Sequence, residues 1–216
     1  MKIYPKGKAV RLAKNFVSTE FDCHGKCCCS ETPIDEELVK ILQQVRDHFG
    51  VSVTVNSGFR CSKHNSRVSG ASKTSQHMQG KAADIVVKGI HPVRVARYVE
   101  TLKVNGRIGC YTWDERNGGF VHIDTRGKKS RAYYTDGNVD YDTVDTFSPV
   151  IKSGSKGKAV MVIQRKLHAL GYYHDVIDGK CGNNTARAIV LFNFYHGRPQ
   201  DPVWGPKCWE EAFPIK

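Results

Sequence analysis

Near residue 150 the spacing of the apolar residues changes from a mixture of helical and strand patterns to helical patterns alone. This change limits the possible folds more than any other feature. Before it, helical and strand patterns follow one another, which is typical of an α+β domain. A helix is predicted over residues 33–50, because its apolar residues follow one helical face and precede Gly50: Leu38, Ile41, Leu42, Val45 and Phe49. The next apolar residues alternate with polar ones and predict a strand that ends at Gly58: Val51, Val53 and Val55.

The rest of the first domain continues this mixture. Residues 60–80 are polar and rich in Gly, Ser and Asn, so a long loop is predicted, and such loops are usually functional or disordered. Three more strands are predicted, at residues 82–87, 107–113 and 119–124. A second helix is predicted at residues 92–104 and a turn at residues 117–119. The order of elements favours an α+β fold with an antiparallel sheet over a doubly wound parallel sheet.

The second part of the chain is helical. Residues 136–155 are rich in Asp, Thr, Ser and Gly, and we place a domain boundary near residue 150. Beyond it, one helical face is shared by Val160, Ile163, Leu167 and Leu170, and a second helix is predicted from about residue 185 to 195. We therefore expect a first domain at residues 1–148 and a small all-α domain at residues 151–216.

Charge and composition exclude few partners. The formal net charge is +12, from 33 Lys and Arg against 21 Asp and Glu, which attracts polyanions in general. No stretch approaches the roughly 18 unbroken apolar residues of a membrane span. Residues 1–15 lack the apolar core of a secretory signal, so we expect synthesis in the cytoplasm. No platform of interleaved aromatic and basic residues indicates a nucleic-acid partner.

Three residues have the chemistry of a zinc site. A zinc hydrolase needs about three His or Asp ligands and one open position for water, and His77, Asp84 and His122 can supply them. Side chains alternate faces along a strand, so Asp84 and His122 converge if their two strands are neighbours in an antiparallel sheet. His77 then has to reach over from the loop, and Gly80 lets the chain turn after it.

These residues belong to motifs that resemble the M15 family of zinc D-Ala-D-Ala peptidases. The motifs follow in order over about residues 10–130: Ser57-Gly58-Phe59-Arg60, His64-Asn65, Ser75-Gln76-His77 through Asp84, and Phe120-Val121-His122-Ile123-Asp124. The resemblance implies the peptidase and hedgehog-like fold, with Zn²⁺ bound by His77, Asp84 and His122.

The resemblance also implies catalytic roles. Arg60 stands where the family places an arginine that stabilises the oxyanion or holds a substrate carboxylate. Many relatives carry an acidic residue three positions before the last zinc histidine, where this chain has Gly119. Asp124 is our preferred base or water-orienting group, and its alternative role is to support a ligand histidine. Asp114 and Glu115, on the preceding turn, are further candidates.

Residues 151–213 resemble the three-helix peptidoglycan-binding repeat found at the ends of wall hydrolases. The resemblance rests mainly on glycines and apolar positions, among them Leu167, Leu170-Gly171-Tyr172-Tyr173, Asp178-Gly179, Phe192, Gly205-Pro206 and Trp209. These positions indicate the fold, and the pairing of this module with the peptidase implies bacterial peptidoglycan as the partner. Cys181 and Cys208 replace a common aromatic and a common Thr, and we hypothesise that they lie close enough for a disulfide, since small domains gain most from one.

The remaining cysteines are unusual in their spacing. Four fall within seven residues, Cys23, Cys27, Cys28 and Cys29, and Cys61 follows Arg60. Such a cluster is half of a structural metal signature, but a set of partly buried thiols explains it equally well. Without a secretory signal, reduced thiols are expected.

Together these features predict a monomeric, two-domain wall-lytic zinc peptidase of the phage endolysin type, which acts on the wall after release from the cytoplasm. Endopeptidase cleavage within stems or cross-links is favoured over D-Ala-D-Ala carboxypeptidase action, because trimming terminal residues leaves the wall mesh intact. The alternative is a non-catalytic zinc-containing wall-binding protein, which the glycine at position 119 favours.

Overall fold

The computed structural model describes residues 1–25, 29–113, 118–135 and 141–215. The strands are β1 (Lys2–Pro5), β2 (Arg11–Ala13), β3 (Phe16–Val17), β4 (Glu31–Ile34), β5 (Val53–Ser57), β6 (Ala82–Val87), β7 (Arg107–Thr112), β8 (Gly119–Asp124), β9 (Ser130–Tyr134) and β10 (Tyr141–Thr143). The α-helices are α1 (Glu36–Phe49), α2 (Ser62–Asn65), α3 (Pro92–Thr101), α4 (Lys158–Ala169), α5 (Asn183–Tyr195) and α6 (Pro206–Ala212). Short 3-10 helices lie at Ser18–Phe21 and Gln76–Gln79.

A six-stranded sheet forms the centre of the first domain, in the order β10-β9-β7-β8-β6-β5. All neighbours are antiparallel except β7 and β9, which are parallel. After β7 the chain runs back along β8 on one side of β7 and then forward again as β9 on the other side. The sheet is therefore mixed at one pair, where the sequence predicted an antiparallel sheet throughout. The α+β class is confirmed.

Two helices cover one face of this sheet. α1 packs against β5, β6 and α3, while α3 packs against β6, β7 and β8. Alternate strand residues point into the resulting core, including Ala83, Ile85, Val121 and Ile123. The intervening residues, which include Asp84 and His122, therefore lie on the opposite face.

The predicted elements match closely, and the differences have local causes. β6 and β8 have the predicted bounds. α1 begins later than predicted, at Glu36 behind the N-cap Asp35, because residues 31–34 pair with β1 as β4. It ends as predicted at Gly50, in the left-handed conformation with φ 66°. The predicted loop at residues 60–80 contains α2 and a 3-10 helix. Of the predicted turn at 117–119, residue 117 lies outside the described residues and Gly119 begins β8.

The second domain is built from α4, α5 and α6, as the helical pattern predicted. Its core is aromatic, with Trp204, Trp209 and Phe192 fully buried. Leu170 was expected on the buried face of α4 but is 43% exposed, because the helix ends at Ala169 and Leu170 lies in its C-cap.

The hypothesised disulfide between Cys181 and Cys208 is not formed in the structure. Both residues are buried free thiols. The Cys208 thiol donates a hydrogen bond to Asn193 Oδ1 at 3.2 Å, within the domain core. Packing of the aromatic core, without a covalent cross-link between these residues, holds the three helices together.

The two domains are in direct contact through α3. The buried Arg97 guanidinium donates to the carbonyl oxygens of Trp209, at 3.0 Å, and Phe213, and it pairs with Glu210 at 2.9 Å. The ring of Tyr133 is fully buried and stacks 6.5 Å from that of Trp209. The boundary near residue 150 stays a prediction, but the two parts share one buried interface.

In the part of the chain that the structure describes, no helix combines the length and the apolar character needed to cross a membrane.

Candidate metal centre

The sheet brings two of the predicted ligands face to face. Asp84 in β6 is the register partner of His122 in β8, and both project from the face opposite α1 and α3. The Asp84 Oδ1 atom lies 2.8 Å from His122 Nδ1. A register shift of one residue in either strand would bury one of these side chains in the core, so strand pairing fixes this half of the site.

His77 comes to the site from the 3-10 helix at Gln76–Gln79. That helix ends at Gly80, with φ 66°, where a Cβ atom would lie only 2.1 Å from the carbonyl oxygen of Pro33. Glycine is therefore required for the return into β6. The buried His77 ring donates its Nδ1 proton to the carbonyl oxygen of Gly58 at 2.8 Å, which leaves Nε2 as the acceptor that faces Asp84 and His122.

The three potential ligand atoms surround one point. His77 Nε2 lies 3.3 Å from His122 Nδ1 and 3.4 Å from Asp84 Oδ1, and the third separation is 2.8 Å. Tetrahedral zinc with bonds of about 2.0–2.1 Å would hold its nitrogen and oxygen ligands about 3.3 Å apart. The residues thus fit zinc, with a fourth position left for water or substrate.

The electrostatics of the cluster suit a cation. Burial favours the neutral form of Asp84, but the imidazoles of His77 and His122 hold the pKa of its carboxyl well below the usual range. Burial lowers the pKa of His77, which keeps its ring neutral. Burial also opposes protonation of His122, but its hydrogen bonds with Asp124 and Asp84 raise its pKa overall. A metal at this site therefore has to displace a proton from His122.

Asp124 lies behind His122, away from the ligand point. It is fully buried, and its Oδ2 atom lies 3.1 Å from His122 Nε2. Its Oδ1 atom accepts a hydrogen bond from the Arg107 backbone N–H at 2.8 Å, and the Arg126 guanidinium contacts both oxygens. Every partner of this carboxylate orients it toward the imidazole. Of the two roles considered for Asp124, the geometry favours support of a ligand histidine.

The position where relatives carry an acid is sterically closed to a side chain here. Gly119 has φ 136°, and a Cβ atom there would lie 2.0 Å from the carbonyl oxygen of Tyr111. An acidic residue would require β7 and β8 to separate. Asp114 and Glu115, the other candidate bases, lie outside the described residues.

Arg60 lies at the edge of the cluster. Its backbone N–H donates to the carbonyl oxygen of His77 at 3.1 Å, and its Nη2 atom lies 3.7 Å from Asp84 Oδ2. The side chain is only 11% exposed, and its Nε atom is buried without a hydrogen-bond partner among the described residues. A buried donor of this kind is costly unless a ligand satisfies it.

A row of aromatic rings continues the same face of the sheet, a feature that the sequence analysis missed. Tyr111 stacks on Phe120 at 4.1 Å and on Tyr134 at 3.8 Å, and the exposed Trp113 meets the edge of Phe120 at 6.0 Å. Gly109 makes room for the stack, since a Cβ there would lie 3.1–3.3 Å from Tyr111, Tyr134 and His122. The signal was present in the alternation of β7: residues 109, 111 and 113 share a face with His122. We call these four rings the aromatic shelf.

A buried cluster of two histidines and one carboxylate, with a fourth position open, is the kind of centre found in metal-dependent hydrolases. The chain belongs to the peptidase M15 family, whose model matches residues 14–124, just over half of the chain. Members of this family are metallo-enzymes. A second model, "Putative peptidoglycan binding domain", matches residues 156–211.

One curated relative and two solved structures are similar to parts of the chain. The chain is 27% identical over 99 residues to "Probable peptidoglycan L,D-endopeptidase MepK" of Haemophilus influenzae, a match that covers 43% of this chain and half of the relative. The SleB N-terminal domain is 31% identical over 30% of this chain and 89% of its own, with a TM-score of 0.30. The Burkholderia AP3 phage endolysin is 33% identical over 30% of this chain and 24% of its own, with a TM-score of 0.29. TM-scores of this size establish no common fold.

Proposed function

We propose that this protein is a zinc-dependent peptidase that hydrolyses peptide bonds in peptidoglycan stem peptides or cross-links. One observation carries the proposal: three ligand atoms from His77, Asp84 and His122 lie 2.8–3.4 Å apart around one point. The outward nitrogen of each histidine contacts a protein oxygen, Gly58 O or Asp124 Oδ2, as is usual for metal-ligating imidazoles. Family membership supports both the metal and the peptidase activity.

The metal and the residues around it have different roles in the proposed reaction. Zinc bound there supplies a Lewis acid that polarises the scissile carbonyl and lowers the pKa of a bound water toward about 7. Arg60, whose guanidinium lies 3.7 Å from Asp84 at the edge of the cluster, supplies the positive charge that stabilises negative charge developing on the substrate oxygen. Asp124 holds the His122 ring through Nε2, so that Nδ1 stays aimed at the ligand point.

The proton acceptor is the part of the mechanism that differs from relatives. Gly119 offers no carboxylate, and both oxygens of Asp124 are held by His122, Arg107 and Arg126. We propose that Asp124 acts as a positioning residue and not as the base. Asp114 and Glu115 are then the carboxylates to test as the base, by substitution to Asn and Gln.

We favour endopeptidase cleavage over removal of a terminal D-Ala. The C-terminal domain, whose family model is a peptidoglycan-binding domain, suits an insoluble polymer, and the curated relative is named as an endopeptidase. The aromatic shelf extends the site along the sheet face, which gives an extended chain further contact surface beside the metal centre.

The test is digestion of purified bacterial walls with the full-length, zinc-loaded protein, followed by mass spectrometry of the soluble products. Endopeptidase action is expected to release cross-linked or stem-peptide fragments, and the His77→Ala variant is expected to release none. Free D-Ala as the sole product, with cross-links untouched, would instead establish carboxypeptidase action.

The second candidate function is a non-catalytic zinc-containing wall-binding protein. The closed position at Gly119, where relatives carry an acid, is the observation that favours it. A bacterial wall suspension that keeps its turbidity with the zinc-loaded protein, while the protein sediments with the walls, would support this alternative and refute the peptidase. Release through a membrane lesion, as for a phage-type endolysin, remains part of our proposal.

A further inference from the structure

A second group of metal-binding side chains lies next to Arg60, outside the centre described above. We propose that Cys23, Cys29, Cys61 and His64 bind a structural zinc ion. The sequence left the cysteine cluster undecided between a metal half-site and partly buried thiols. The structure supplies the other half, because it brings Cys23 and Cys29 to the start of the loop at 60–80. We call this group the thiolate site; it does not depend on the proposed peptidase activity.

Three of the four proposed ligand atoms lie close to one another, and the fourth lies beside one of them. The three sulfur atoms of Cys23, Cys29 and Cys61 are all within 4.8 Å of one another. The Nδ1 atom of His64 lies 3.3 Å from the sulfur of Cys23. In a tetrahedral zinc site, bonds of about 2.3 Å to sulfur and 2.0–2.1 Å to nitrogen separate sulfur atoms by about 3.8 Å, and sulfur from nitrogen by about 3.5 Å. Small adjustments of the side chains therefore close the site.

Hydrogen-bond donors point at all three sulfur atoms of the thiolate site. The backbone N–H of Cys61 points to the sulfur of Cys23 at 3.4 Å, and that of His64 points to the sulfur of Cys61 at 3.3 Å. The Lys6 ammonium lies 3.7 Å from the sulfur of Cys29. Three thiolates and one imidazole in this arrangement select zinc over magnesium or calcium.

The backbone is shaped to keep His64 against the cysteine segment. Gly25 lies so close that a Cβ atom there would come within 2.7 Å of the Cβ and Cγ atoms of His64. A side chain at position 25 would therefore require either His64 or the backbone at position 25 to shift. Cys61 also caps α2, and the two ligands of that segment, Cys61 and His64, are three residues apart on it. Cys27 and Cys28 lie outside the described residues and have no part in the proposed ligand set.

A metal at the thiolate site would fasten the N-terminal segment to the loop that carries Arg60. The same two segments already touch beside the site, where the Phe59 N–H donates to the carbonyl oxygen of Phe21 at 2.8 Å. Gly58 permits that approach, since a Cβ on it would lie 2.5 Å from the Cα atom of Phe21. Gly58 in turn holds His77 through its carbonyl oxygen. The thiolate site thus positions both Arg60 and a ligand of the catalytic metal.

The experiment titrates Co²⁺ into the full-length chain, stripped of metal by a chelator under reducing conditions. Two equivalents are expected to bind, and one of them should produce the near-ultraviolet charge-transfer absorption of cobalt bound to sulfur. Cys29→Ala and His64→Ala are expected to lose that absorption and one equivalent. His77→Ala should lose the other equivalent and keep the absorption, so the failure of either site is distinguishable. Cys181→Ala, a buried thiol of the second domain, is the matched control and should keep both.

A measurement without substitutions at the thiolate site guards against misfolded variants. Zinc X-ray absorption of the His77→Ala chain is expected to give three sulfur ligands and one nitrogen. A shell of nitrogen and oxygen alone, or of four sulfurs, would overturn the proposed ligand set. So would a reduced wild-type chain without the cobalt–sulfur absorption, or a disulfide found by mass spectrometry among Cys23, Cys29 and Cys61 in protein purified under reducing conditions.

Discussion

Replacement of Asp124 by Asn separates the two roles considered for this residue. The Asn amide keeps an oxygen that can accept from the Arg107 N–H, and it has nearly the same size as the carboxylate. It removes the negative charge that faces His122 Nε2 at 3.1 Å. If Asp124 orients the histidine, the loss falls on metal binding. If Asp124 accepts a proton from the attacking water, the loss falls on turnover.

The magnitude follows from the position of Asp124 behind the ligand. Loss of a carboxylate that holds a metal-ligating histidine typically weakens metal affinity by about 10–100-fold. This corresponds to about 1.4–2.8 kcal/mol, since each tenfold change is worth about 1.4 kcal/mol. Arg126, the other charged partner, has a side chain that is 33% exposed, so its guanidinium can turn to water without a large loss of stability.

The assay measures zinc affinity by competition with a chromophoric chelator, and wall hydrolysis at both limiting and saturating zinc. We expect the Asp124→Asn variant to bind zinc about 10–100-fold more weakly and to recover most of its activity when zinc saturates it. Asp47→Asn, a change of an exposed carboxylate on α1, is the control and should leave both quantities unchanged. An unchanged zinc affinity with turnover reduced about 100-fold or more would refute our reasoning and make Asp124 the base.

Three further predictions follow from the same geometry. The rise in melting temperature that zinc gives should be large near pH 8 and shrink toward about pH 5.5, measured by calorimetry with and without zinc. The pKa of His122 is raised in the metal-free fold, so its protonated ring stabilises that fold below its ordinary pKa of about 6.5, and this stability is lost as the pH rises through the raised pKa. Zinc binds only the unprotonated Nδ1 atom of His122, so its stabilising effect grows with pH. Gly119→Ala should lower the free energy of unfolding by about 2 kcal/mol or more in denaturant titrations, because of its positive φ and the contact with Tyr111 O, and an unchanged midpoint would contradict this. A chain that ends at Ser148 should sediment less with intact walls, and equal pull-down would remove the binding role of residues 151–213. It should also melt at a lower temperature, because Arg97 loses its partners in the second domain and Tyr133 loses its contact with Trp209.

The sequence was sufficient for those parts of the protein in which local spacing and chemistry agree. Alternation gave β6 and β8 their bounds and placed Asp84 and His122 on one face. The motif order indicated the family, which the family model confirms. The helical pattern after residue 150 predicted the second domain, with Leu170 misplaced because the helix ends one residue earlier.

The tertiary structure decided what depends on contacts between distant segments. The role of Asp124 depends on the backbone of Arg107, which begins β7 and reaches Asp124 only through strand pairing. Arg126 is two residues from Asp124, but its spacing alone does not reveal that it holds both carboxylate oxygens. The aromatic shelf forms because β7 lies between β8 and β9, a strand order that alternation alone does not fix.

The cysteines show most directly what the sequence determines and what the tertiary structure determines. Their spacing in the sequence revealed a cluster at residues 23–29 but no complete set of ligands. The fold brings Cys61 and His64, which lie 32 or more residues further along the chain, next to this cluster. Cys181 and Cys208 lie elsewhere, buried as thiols in the second domain. Residue types and their periodicity determined which chemistry is available to this protein. The paired strands and the glycines that permit close backbone approach decided which of those groups meet, because ligand geometry depends on distances in space and not along the chain.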